Sequence, residues 1–259
     1  MSSIGSLWIY PIKSLPGKSV ETAKILRAGN LEFDRRWAIC DASGEVVNAK
    51  RTAAIHPISA TYDDAFERVT LAAGARFAAQ VFSLADERQA IERWLSQYFG
   101  FACVLVENAQ TGIPDDLDSP GPTIVSTATL ELVASWFPGV AVDEARRRFR
   151  ANVELAGVEP FWEDRLYGPI GETRTIHLGQ AVLDGVNPCQ RCIVPSRDSL
   201  TGEMTFAFSK RFAEHRRATL PAWAAAERFN HFYRLAVNTR APLEQRIATL
   251  RVGDPVAVV

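Results

Sequence analysis

The 259-residue chain has only four cysteines, two methionines and a net charge of −1. So few cysteines in so long a chain argue against a disulfide framework and the oxidising compartments that favour one. Lys and Arg number 29 against 30 Asp and Glu, so the basic excess typical of nucleic-acid binders is missing. No apolar run reaches the roughly 18 residues that would span a bilayer. Met1 to Tyr10 carries no basic n-region and no cleavage site, so no secretory signal is expected. These absences predict a cytoplasmic protein that engages neither nucleic acid nor membrane. Also missing are a phosphate-cradling glycine loop, a dinucleotide fingerprint and a GxSxG elbow. The four histidines fall in no metal or catalytic spacing, and neither repeats nor low-complexity tracts occur. What remains is an ordinary globular composition, 47% hydrophobic and 23% charged, with length enough for a sizeable core.

Short β-branched and aromatic segments bounded by turn formers predict strands at Ser6 to Ile12, Val20 to Leu26 and Arg36 to Cys40. Asp41-Ala42-Ser43-Gly44 predicts a hairpin turn leading to Val46-Val47. Ile91, Trp94, Leu95 and Tyr98 recur with helical spacing, so a helix is expected from a cap at Asp86 to just before Gly100. Gln110 to Pro122, rich in Gly, Pro and Asp, reads as a loop between two halves, residues 1–110 and 111–259. A second helix follows from Thr127 to Trp136. Strands are expected at Asn152 to Leu155, Thr173 to Leu183, Thr205 to Phe208, Tyr233 to Val237 and Ile247 to Val252. Helical patches are expected around Ser209 to Arg217 and Pro221 to Phe232. The sum is an α+β, β-rich protein with a few peripheral helices.

Cys40 and Cys103 lie in apolar runs and read as small buried hydrophobes. Cys189 and Cys192 differ, standing in Asn187-Pro188-Cys189-Gln190-Arg191-Cys192 among proline and polar residues. A structural zinc site wants four ligands, and His215 and His231 offer no companion spacing. A thioredoxin-like dithiol wants a helix after its first cysteine, whereas Ile193-Val194-Pro195 looks extended. A third reading is a soft-metal site with one thiolate, whose ionisation Arg191 would favour. A plain turn with two half-buried thiols also stays open. Three cationic stretches sit at expected strand ends. In Tyr10-Pro11-Ile12-Lys13-Ser14 the proline constrains a turn where Lys13 and Ser14 can face an anion. In Asp34-Arg35-Arg36-Trp37 one arginine can pair with Asp34 while the other points elsewhere. In Arg146-Arg147-Arg148-Phe149-Arg150-Ala151-Asn152, strand alternation would put Arg148, Arg150 and Asn152 on one face. Isolated cations of this kind are more often solvated surface than binding groups.

Taken in order, these pieces resemble the MOSC family, and within it the branch that joins an N-terminal β-barrel-like module to a MOSC β-barrel domain, to which the amidoxime-reducing components belong. The resemblance runs from Trp8-Ile9-Tyr10-Pro11-Ile12-Lys13-Ser14 with Gly17 and Asp34-Arg35-Arg36-Trp37, through Ile124-Val125-Ser126 and Phe149-Arg150-Ala151-Asn152, to Pro188-Cys189-Gln190-Arg191-Cys192 and Val252-Gly253-Asp254-Pro255. It implies a protein that binds the pterin-based molybdenum cofactor (molybdopterin), with Cys189 as metal ligand and catalytic residue. Cys192 would be a supporting residue at most. Lys13, Ser14, Arg35 and Arg150 match positions that hold the cofactor's anionic and pterin groups, with Asn152 and Ser126 as further candidates. The family is also associated with pyridoxal phosphate. The implied activity is an oxidoreductase that removes oxygen from small N-hydroxylated or N-oxide substrates, with electrons from a separate reductase or small redox protein. The alternative is a non-catalytic carrier of the cofactor or of sulfur.

Overall fold

The computed structural model describes residues 2–242 and 247–259. In chain order the strands are β1 (Ser3–Ile9), β2 (Lys18–Val20), β3 (Thr22–Ile25), β4 (Trp37–Asp41), β5 (Ser59–Tyr62), β6 (Arg68–Ala73), β7 (Phe77–Ser83), β8 (Cys103–Glu107), β9 (Ile124–Ser126), β10 (Val153–Ala156), β11 (Arg174–Leu178), β12 (Ala181–Gln190), β13 (Arg234–Arg240), β14 (Ala248–Arg251) and β15 (Val256–Val258). The helices are α1 (Arg88–Phe99), α2 (Thr127–Ser135), α3 (Val142–Phe149) and α4 (Phe208–Ala218). Strands predominate, as the composition and patterning predict.

Eight strands form the main sheet in the order β15-β11-β12-β13-β9-β10-β1-β2. The sheet curls so that the start of β1 meets the lead-in to β15. Ile4 N donates to Asp254 O at 2.9 Å and Ser3 bridges Pro255. Three smaller sheets, β5-β6-β7, β4-β8 and β14-β3, stand beside it. The first strand is thus spent in the sheet of the second half, antiparallel to β10. One large apolar core accordingly draws on both halves, from Ile4, Leu7 and Ile39 to Val153, Leu183 and Val237, all at or below 1% exposure. A second core packs α2, α3 and α4 against the sheet through Leu130, Phe149, Phe208 and Phe212, with Phe137 and Phe208 stacked at 4.1 Å.

Helix α1 buries Ile91, Trp94 and Leu95 and ends at Gly100 in the left-handed conformation, φ 77°. At about 1.5–3 kcal/mol per fully buried large apolar side chain, that face accounts for its docking. Its start lies after Asp86, at Glu87, because Asp86 instead turns back to Ser83, accepting from its hydroxyl at 2.9 Å. The 41–44 turn forms as expected, with Cys40 bridged to Val46. Gln110 to Pro122 is indeed loop.

Five local expectations fail. The arginines do not alternate along a strand: Arg146 to Arg148 form the last turn of α3, whose first turn carries Asp143 and Glu144, Arg150 caps it, and β10 begins only at Val153. Acid-first, base-last order complements the helix dipole, and that pattern outweighs alternation here. Thr173 to Leu183 is a hairpin folded at Gly179 rather than one strand. Thr205 to Phe208 is not a strand, since Ala207 turns left-handed, φ 51°, and Phe208 opens α4. Pro221 to Phe232 yields only a short 3-10 turn at Ala226–Arg228, and Ile193-Val194-Pro195 enters another at Val194–Ser196.

Candidate active site: a cationic cavity around Cys189

A single cavity of about 1580 Å³ collects Lys13, Ser14, Arg35, Arg150, Asn152 and Cys189 on its wall. This is more than the roughly 300–1,000 Å³ that suits a drug-sized ligand. Residues far apart in sequence meet here because the segments after β1, before β4, after α3 and at the end of β12 all run to the same place.

The backbone at this place is wound tightly. Lys13 N donates to Trp37 O at 2.7 Å, Trp37 N to Pro11 O at 3.0 Å and Arg35 N to Tyr10 O at 2.8 Å. This zips the Tyr10–Ser14 turn to the Asp34–Trp37 segment. Ser14 (φ 72°), Arg35 (φ 50°) and Arg150 (φ 53°) are all left-handed without being glycine. Such backbone is held at a penalty of about 1–2 kcal/mol per residue and concentrates at functional sites. Three of the six expected cofactor contacts carry it.

Tyr10 ties the cations together. Its buried ring lies 4.2 Å from the Arg150 guanidinium and 5.4 Å from that of Arg35, and its hydroxyl donates to Ala151 O at 3.3 Å. Burial is the main cause that pushes the Tyr10 hydroxyl up to about 12, so it stays a neutral donor. A Cβ on Gly17 would sit 2.5 Å from this ring, so only glycine leaves the ring its place. Arg35 is paired with Asp34 and donates to Asn152 Oδ1 at 3.3 Å. Burial works against the Arg35 charge, but the Asp34 carboxylate more than offsets it and holds its pKa above the ordinary value. Arg150 has no such partner. Desolvation comes first and the Arg35 charge adds to it, so its pKa lies below the ordinary value. Lys13 donates to the carbonyls of Ile113 and Pro114 and meets Asp115 at 2.9 Å. Although burial opposes it, the ammonium of Lys13 and that of Lys50 bring the Asp115 carboxyl down to about 2.

At the other end, Cys189 lies in the last turn of sheet before β12 ends. Arg191 Nη1 donates to Cys189 Sγ at 3.2 Å while its Nη2 is held by Phe149 O at 2.6 Å. A charge-assisted donor on sulfur suits a thiolate that serves as a ligand. Among the described residues no three His, Cys, Asp or Glu side chains converge to hold a metal, so the zinc reading lacks its ligands. Neither does Cys189 open a helix, as a thioredoxin-like thiol would.

Eleven Lys and Arg against five Asp and Glu line the cavity of a chain whose net charge is −1. Arg146, Arg147 and Arg148 are neutralised from behind by Glu154 and Glu144. Among the described residues Arg150, Arg191, Arg197, Arg228 and Arg234 have no acidic partner within ion-pair distance. A wall built in this way is complementary to a large anionic ligand.

Two expected contacts are used differently. Ser126 is fully buried at the start of α2, where its Oγ accepts from Thr129 N at 3.1 Å and donates to Thr129 Oγ1 at 2.8 Å. A hydroxyl spent on a buried helix cap does not reach the cavity wall, so Ser126 is withdrawn from the set. Asn152 is also satisfied internally, donating to Trp8 O at 3.0 Å and accepting from Thr123 N at 3.2 Å, so it braces Arg35 from the wall. Sequence reasoning overlooked Tyr10 as a platform and Arg197, Arg228 and Arg234 as cavity cations. No motif marks those three arginines. Only the fold brings them in.

Residues 1–102 match the MOSC N-terminal beta barrel domain, and residues 123–257 match the MOSC domain. The chain belongs to the MOSC family. It is 22% identical to mitochondrial amidoxime reducing component 2 of Bos taurus, over 99% of this chain and 83% of that protein. It is 23% identical to mitochondrial amidoxime-reducing component 1 of Homo sapiens, over 99% and 82%. The molybdenum cofactor sulfurase of Drosophila mojavensis is 26% identical over 76% of this chain, which covers 28% of the sulfurase. These relatives are thus amidoxime-reducing components and a molybdenum cofactor sulfurase, and no helix among the described residues is long and apolar enough to cross a membrane.

Proposed function

We propose that this protein is a molybdenum-cofactor-dependent oxidoreductase that reduces small N-hydroxylated or N-oxide compounds. The observation that carries the reading is the convergence of uncompensated guanidiniums, Arg150 foremost, on the cavity that contains the Cys189 sulfur. The donor set fits the cofactor: one sulfur for a soft metal, and fixed cations and hydroxyls for a phosphate and a polar ring system. When bound, the cofactor supplies a metal that changes oxidation state by two electrons beside an exchangeable coordination position.

Each side chain has a definable task. Cys189 ligates the metal, and Arg191 fixes the direction of its sulfur. Lys13, Ser14, Arg35 and Arg150 hold the anionic and pterin groups, while Tyr10 and Asn152 keep the two arginines aimed. The overall reaction breaks the substrate N–O bond. Oxygen leaves as water with two protons from solvent, and two electrons come from a separate reductase or small redox protein. The division of labour we propose is a β-rich module in residues 1–110 and the MOSC domain proper in 111–259, in a cytoplasmic protein. Pyridoxal phosphate draws no support from the cavity, whose two lysines, Lys13 and Lys50, both face Asp115.

Similarity to molybdenum cofactor sulfurases supports a second reading, a carrier that delivers the cofactor or sulfur without turnover. The test is protein from a cofactor-competent host, with molybdenum quantified and benzamidoxime reduction driven by an artificial electron donor. Turnover that disappears in Cys189→Ala supports the oxidoreductase. Turnover retained at wild-type molybdenum content defeats Cys189 as ligand, and molybdenum near one per chain without turnover favours the carrier.

A further inference from the structure

At the Cys189 end of the cavity the cations form an ordered row. β12 loses its β11 partner beyond Gly185. Carbonyls of the following stretch accept from side chains: Val186 O from Arg228 Nη2 at 3.0 Å and Pro188 O from Arg234 Nη1 at 2.9 Å. Two residues of strand separate these carbonyls by roughly 7 Å. The third member, Arg191, reaches the sulfur of the next residue, Cys189. Three guanidiniums thus lead along one strand to the ligand sulfur.

Their anchors are chiefly neutral oxygens. Arg228 is also held by Gly168 O and Glu172 O, and Arg234 by Asn230 Oδ1. Nε of Arg191 and of Arg234 are buried without a partner. Desolvation, with the Arg228 charge adding to it against the attraction of Cys189, holds the Arg234 pKa below its ordinary value. The acids on this side of the wall are Glu227, which is exposed, and Asp116, which accepts from Asn238 at 3.3 Å. Neither pairs with the row. Backbone carbonyls fix where the guanidiniums sit and leave their formal charge uncancelled.

We propose that Arg228 and Arg234 form a subsite for an anionic group on the substrate, so that the N-hydroxylated compound reduced here carries a carboxylate or comparable oxyanion beside its N–OH. This rests on the oxidoreductase reading and narrows its substrate class. The redox step is unchanged: the N–O bond breaks, two protons and two electrons from the separate donor protein are consumed, water leaves, and the carboxylate is a handle that does not react. Binding near the row sets the N–OH toward the metal position at Cys189.

The test compares benzamidoxime with 4-carboxybenzamidoxime on the molybdenum-loaded protein, by steady-state kinetics and by calorimetric binding. A charged hydrogen bond gained predicts a kcat/KM ratio of roughly ten to a hundred in favour of the acid. The ratio should shrink as ionic strength rises from about 0.01 M to about 1 M. In Arg228→Gln and Arg234→Gln the ratio should fall toward one. Both substrates are measured on the same variant, so any general loss of fold cancels. Turnover of both compounds without preference overturns the subsite and leaves the oxidoreductase standing. Tighter binding of the acid with no turnover of either sinks the oxidoreductase and keeps the subsite, whereas neither turnover nor preference sinks both.

Discussion

Removing the charge of Arg150 should make the empty protein more stable and the loaded protein scarcer. The guanidinium sits at the C-terminal end of α3 in left-handed backbone, φ 53°, over Tyr10, with no acidic partner among the described residues. A buried ion without a counter-ion carries a penalty of several kcal/mol, lessened where water reaches it. Two terms offset part of this. The Tyr10 ring contributes about 0.5–2 kcal/mol and the helix terminus about 0.3–1 kcal/mol. The balance left against the cofactor-free fold is about 1–2 kcal/mol. Arg150→Gln keeps the stem and the backbone conformation, so it isolates the charge. Urea unfolding of cofactor-free protein should show the variant about 1–2 kcal/mol more stable. Inorganic phosphate should raise the midpoint of the wild type and leave that of the variant nearly in place, since only a ligand bound to the native state stabilises it. Molybdenum and pterin content after expression in a competent host should drop. A variant that is less stable when empty yet fills normally with cofactor would refute the argument, for Arg150 would then be an ordinary structural cation.

Three further outcomes concern the scaffold. Glu163, 1% exposed, has its carboxyl pushed up to about 7 from 4.5, by burial first and the Asp164 charge second. The folded state therefore binds more protons than the unfolded chain between those values, and stability falls by about 3 kcal/mol as pH rises through that window. Unfolding of Glu163→Gln at several pH values should lack that slope, and parallel curves for both proteins would contradict it. Changing Arg216, buried on α4 and paired with Asp164 over the Phe161 ring, to Met should cost about 3–5 kcal/mol, because the buried Asp164 loses its counter-ion and keeps only the Tyr167 hydroxyl, as denaturant titration at pH 7 would show. A Cβ on Gly185 would fall 1.6 Å from Leu166 O, so Gly185→Ala should fail to yield folded protein, and a native circular dichroism spectrum with wild-type melting would disprove that approach.

How far the chain could be understood before folding varies from residue to residue. Helix α1 was plain from four apolar positions, since its period and its stop at Gly100 are both local signals. The arginine run is ambiguous by itself, because a cluster of cations suits a strand entrance and a helix end equally until Asp143 and Glu144 are counted with it. Ser126 shows the opposite limit: a hydroxyl at a matching motif position turned out to cap α2, and nothing local tells a capping serine from a ligand-facing one. In sequence Tyr10 only opens a turn, yet in the fold it orders two guanidiniums from separate segments.

Residue types and short-range spacing alone established the β-rich class, the single CxxC at Cys189 and three cation-bearing stretches, within which the family resemblance picks out Lys13, Arg35 and Arg150. These are matters of composition and neighbouring residues, which a linear chain records directly. Whether those cations meet, which of them keep an uncancelled charge, and that Arg228 and Arg234 join them along β12 were decided by the fold. The reason is physical: a guanidinium is neutralised or left free by carboxylates and carbonyls a hundred residues away, and only strand order and loop path bring such partners within a few ångströms.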